Sequence, residues 1–92
     1  MTWDRREEYR HRLVEAFPVV ATLNEQRREA LLHLALHAGI PELADQTGLW
    51  DALAVQDYEM AGREVLRSKW ASNNEFSVHE LARLLRTGKW LS

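Results

Sequence analysis

The sequence predicts an all-α fold, a single small bundle of about seven short helices. Three observations carry that expectation. Apolar residues recur at spacings of three and four, the period of a helix and not of a strand. Only four glycines and two prolines punctuate the 92 residues. The chain is 46% apolar and 28% charged, inside the range of globular domains. A chain of this length supports one domain, here residues 1–92, with a single core that buries about 60 to 65% of the unfolded surface.

The elements follow in order. From Trp3 to about His11 the chain is charged, and Glu7 and Glu8 precede His11 and Arg12 by four residues, as on a solvated helix. A second short helix is expected to carry Leu13, Phe17, Val20 and Leu23. Pro18 has no N–H to donate, so it belongs in that helix's first turn or at a bend. Asn24 is placed to cap the next helix, and Glu25 suits the positive end of its dipole. Ala30, Leu31, Leu34, Ala35 and Leu36 make this helix apolar around much of its girth, so it should be central. Gly39, followed by Pro41, reads as its stop.

Two short helices are expected between Ile40 and Ala54, with Thr47 as a cap and Leu49, Trp50 and Leu53 facing inward. Asp57 should cap a further helix carrying Tyr58, Ala61, Val65 and Leu66. Ser72-Asn73-Asn74 breaks the pattern, and Ser77 with Glu80 forms a capping box for the last helix. Phe76, Leu81, Ala82, Leu84 and Leu85 would pack that helix down, and Gly88 would end it after Thr87.

Composition excludes several classes of function. Twelve basic against fourteen acidic residues leave a formal charge of -2, which gathers neither nucleic acid nor an anionic membrane. Neither is an expected partner. The absence of cysteine removes disulfides, thiolate metal sites and a cysteine nucleophile. No signal peptide or transmembrane segment is recognisable, because the apolar runs are short and the start is charged on both signs. A cytoplasmic location is the expectation, and the oligomeric state is left open.

The titratable residues read mainly as surface. Glycoside hydrolysis needs two carboxyl groups astride a sugar bond, one of them kept protonated by apolar surroundings. The fourteen acids lie instead at helix starts or near bases, where solvation accounts for them. His33 and His37 have the i,i+4 spacing that lets two imidazoles share a metal. No third ligand is clearly placed, so they read as ordinary surface or boundary histidines, with no metal and no cofactor expected. Trp50, Tyr58 and Trp90 read as core aromatics.

Ser68-Lys69-Trp70 and, after residues 71–85, Arg86-Thr87-Gly88-Lys89-Trp90 form the most distinctive stretch. Arg27-Arg28 and Ala30-Leu31 open the central helix, Gly39 closes it, Tyr58 supplies an aromatic, and Pro18 lies in the preceding short helix. In these landmarks and their spacing the chain resembles the larger helical lobe of T-even phage lysozyme. The resemblance implies that fold, and implies that residues 1–12 are a remnant of the helix joining that family's two lobes. It also implies that the small lobe is missing, with the glutamate general acid and the aspartate and threonine that work beside it. No residue here matches those positions, so no catalytic residue is assigned.

By the same resemblance His37, Lys69 and Trp70 border the surface that faced the lost lobe. Trp3 on the first helix extends it. Two readings of Trp70 stay open, a stacking anchor for a partner or a core side chain beside a short helix. The functional expectation is a non-catalytic binding module, with His37, Lys69, Trp70 and Trp3 contacting a protein partner or, as the lesser choice, peptidoglycan. The alternative is the helical component of a muramidase whose catalytic lobe comes from another polypeptide. A phage or prophage origin, and a phage-associated location, follow from the resemblance alone.

Overall fold

The computed structural model describes residues 5–68 and 78–89. Among them are six α-helices and one 3-10 helix and no strand: α1 (Arg5–Ala16), η1 (Pro18–Thr22), α2 (Glu25–Ala38), α3 (Ile40–Ala44), α4 (Thr47–Ala54), α5 (Tyr58–Arg67) and α6 (Val78–Thr87). None of the helices is long and apolar enough to cross a membrane.

Helix α2 is the axis of the bundle, and local chemistry explains its limits. The Asn24 side chain accepts a hydrogen bond from the Arg27 N–H at 2.9 Å, satisfying a donor the helix start leaves open. At the other end Gly39 adopts φ +89° and ψ 156°, a conformation that a side chain makes costly. Its N–H still bonds the Ala35 carbonyl at 2.8 Å, and Pro41 then sits in the first turn of α3, where a missing donor does no harm. Between these ends Ala30, Leu31, Leu32, Leu34 and Ala35 are all buried.

The core around α2 is aliphatic. Leu13, Leu31, Leu32, Leu34, Leu43, Leu49, Leu53, Leu85 and Val65 are its largest fully buried side chains, and no polar or charged residue is buried among the described residues. Helices α5 and α6 approach closely because Gly62 has no side chain. A Cβ there would lie 2.8 Å from the Ala82 carbonyl oxygen and against the Arg86 stem.

A polar clamp ties the start of α2 to the end of α6. The Asn24 amide donates to the Gly88 carbonyl at 3.0 Å, and Arg27 donates to the carbonyls of Leu85 at 2.8 Å and Arg86 at 3.1 Å. A guanidinium thereby meets carbonyls that the end of α6 would otherwise leave unpaired. The Tyr58 ring covers it 3.6 Å from its centroid, a cation–π contact. Gly88 has φ +69°, and a Cβ on it would press on both Asn24 and Arg27, so the glycine ends α6 and also admits the clamp.

Several sequence expectations need correction. Leu13 belongs to the first helix, which continues to Ala16; it does not lie on a second helix with Phe17. Pro18 opens a separate 3-10 turn, because it can begin a helix but cannot donate within one. Thr47 is the first residue of α4 and Gln46 holds the cap position, with no side-chain cap bond. Glu7 pairs with Arg10 at 2.6 Å, an i,i+3 partner that the sequence reading did not name. Asp57 does cap α5, accepting from the Met60 N–H at 3.1 Å. The capping box at Ser77, and Phe76 with it, lie outside the described residues.

Candidate functional site

Helix α1 leans on the first half of α2, and a cleft of about 390 Å³ opens between them. Leu13, Val14 and Val20 supply its apolar part, and of these Val14 is exposed. The rim is charged on both sides: Glu7, Arg10 and His11 come from α1, and Glu25, Arg28 and Glu29 from α2. The geometry follows from helical period. Arg10, Leu13 and Val14 fall within four residues on one side of α1, and Glu25, Arg28 and Glu29 line one stripe of α2's first two turns.

Glu29 organises this surface. It accepts hydrogen bonds from Arg6 and, at 3.4 Å, from Arg10, while His33 Nε2 lies 3.7 Å from its carboxylate. Arg10 also bonds Glu7, so a chain of alternating charge crosses from α1 to α2. The Glu29 side chain is 17% exposed against 39% for Arg6 and 49% for Arg10. The acid is therefore the sheltered member, and the bases reach it from solvent.

This arrangement suits noncovalent recognition better than acid–base chemistry. A glycosidase holds one carboxyl group in apolar surroundings so that it stays protonated. Here Glu7 and Glu29 both lie against guanidinium groups. Among the described residues no group of three His, Asp or Glu side chains is placed to hold a metal ion.

Of the residues singled out in the sequence, His37 is exposed in the last turn of α2. It lies two turns beyond Glu29, roughly 12 Å along the helix axis at 1.5 Å per residue, and so is not part of the α1–α2 cleft. Trp3, Lys69 and Trp70 lie outside the described residues, as does Trp90. Trp50 is half-buried and stacks on Phe17 at 3.9 Å between ring centroids, with its N–H donated to the Leu43 carbonyl at 2.9 Å. Tyr58 packs on the core and shields Arg27.

Sequence reasoning missed Glu29 and its partners Arg6 and Arg10. Only the i,i+4 relation of Glu29 to His33 was visible locally, because the arginines lie 23 and 19 residues away. No protein-family model, curated protein or solved structure matches this chain.

Proposed function

We propose that the chain is a non-catalytic binding module, akin to the helical lobe of phage lysozyme, that docks a protein partner. The observation that carries this reading is the α1–α2 cleft, with apolar side chains framed by charges of both signs and carboxylates engaged by arginine. Val14 is the apolar side chain of the cleft open to a partner, and a rim of mixed charge selects orientation and partner. His37, exposed in the last turn of α2, is a second and separate candidate contact. A peptidoglycan fragment is the second-ranked ligand.

The test has two arms. Purified protein should clear no peptidoglycan from about pH 4 to pH 9, since no carboxyl pair among the described residues is set up as acid and base. Turbidity loss that a single Glu or Asp substitution abolishes would overturn the reading. Affinity capture from phage-infected cells should return a defined protein with the wild type and lose it with Arg28→Glu, a rim change on an exposed side chain. Retention of the same protein by Arg28→Glu and His37→Glu alike would remove both surfaces. Sedimentation of the chain with purified cell-wall sacculi, unaffected by added protein, would favour peptidoglycan. Clearing restored only on adding a separate small-lobe polypeptide would favour the muramidase component.

A further inference from the structure

We infer that α1 is an arm latched to the bundle through Glu29, able to open while the rest of the molecule stays folded. The attachment of α1 is thin for its length. Of the twelve residues from Arg5 to Ala16, Leu13 is the buried one, and Tyr9 packs partly against the core. Local opening is set by how much apolar contact a segment must give up, and one buried leucine is little.

Among the described residues, the ion pairs that join α1 to α2 meet at one carboxylate. Arg6 and Arg10 both reach Glu29, and Glu7 steadies Arg10 from one turn away. Tyr9 is flanked on its own helix by Arg5 and Arg12, whose guanidinium carbons stand 5.5 and 5.2 Å from the ring centre. Opening would return Arg6 and Arg10 to water at small cost, because both are already partly hydrated where they are. The joint is defined as well. The Phe17 N–H closes α1 on the Leu13 carbonyl at 2.8 Å, and Phe17 then stacks on Trp50, fixing the chain beyond the arm to α4. Movement is thus confined to the residues before Phe17.

Because α1 carries Glu7, Arg10 and His11 into the cleft, latching assembles the cleft and opening dismantles it. The latch itself does not depend on what the cleft binds. A ligand of the closed cleft would hold the arm shut by its differential affinity for that state.

Amide hydrogen exchange on the free protein tests this directly. In the wild type the amides of residues 9–17 should exchange faster than those of Leu31, Leu32 and Leu34. Raising the salt from about 0.01 M to 1 M cuts the screening length from about 30 Å to 3 Å and should speed α1 exchange selectively. Glu29→Gln should speed it about three- to tenfold at low salt, the loss expected for two partly exposed ion pairs, and should abolish the salt response. Glu59→Gln removes a comparable exposed pair with Arg86, 3.8 Å apart, and should leave α1 unchanged. Exchange of α1 at the core rate, or equal acceleration of arm and core by Glu29→Gln, would overturn the inference. So would a wild-type arm insensitive to salt.

Discussion

Helices α1 and α6 both pack on α2, yet they are held by different means. Helix α6 buries Val78, Leu81, Ala82, Leu84 and Leu85, lies against α5 at Gly62, and has its last carbonyls gripped by Asn24 and Arg27. Helix α1 is two residues longer but buries Leu13 and leans on one carboxylate. The difference teaches where stability and adaptability reside. Apolar burial stabilises by an amount that salt does not screen, whereas partly exposed ion pairs contribute little each and fade with ionic strength.

The largest effect should come from the core. Leu31→Ala should lower unfolding free energy by about 2 to 5 kcal/mol, the range for a leucine with no exposed surface. Leu13→Ala removes the same atoms from a side chain that is almost as buried. If α1 is a separable arm, that loss is capped by the docking free energy of α1, and denaturant melts should register less than about 2 kcal/mol. Equal losses in the two variants would break the contrast between the regions.

Next in size is the clamp. Arg27→Met keeps much of the stem but removes two charged hydrogen bonds and the contact with Tyr58. A cost of about 2 to 3 kcal/mol is expected, from charge-assisted bonds to partly buried carbonyls together with the cation–π term. Melts within half of that figure of wild type would mean that water replaces the guanidinium without loss.

The smallest effect should be a gain. Helix α4 ends with the Asp57 N–H on the Ala52 carbonyl at 2.8 Å and the Gln56 N–H on that of Leu53 at 3.1 Å. This double closure requires a left-handed residue, and Gln56 occupies it at φ +61°. Gln56→Gly should raise stability by about 0.5 to 1 kcal/mol, since relief of the left-handed strain outweighs glycine's greater entropy when unfolded. A lowered melting temperature would show that the Gln56 side chain contributes something its exposure does not suggest.

What the sequence revealed was local. The span of α2 was readable because Asn24 and Gly39 act within four residues of themselves, and the stop at Gly88 for the same reason. The boundary at Ala16 was not, since Leu13 and Phe17 keep helical spacing even though the backbone changes course between them. Thr47 looked like a cap because its hydroxyl could serve, but α4 begins one residue earlier than that role needs. The cleft was invisible, because it depends on Glu29 meeting Arg6 and Arg10 across two helices. The surface inferred from resemblance is represented among the described residues by His37 alone, in the open at the far end of α2.

The clamp between α2 and α6 also bears on time. Its three hydrogen bonds join residues 58, 59 and 64 positions apart, so each closes a long loop before it returns any stabilisation. Helix α2 can form its own turns and its Asn24 cap early, but Arg27 has no carbonyl to grip until α6 has arrived. Contacts of that kind are made late on the way to the folded state, so weakening them leaves the rate of folding nearly unchanged and hastens unfolding. Weakening the long-range grip of Arg27 should therefore shorten the life of the folded molecule more than it slows folding.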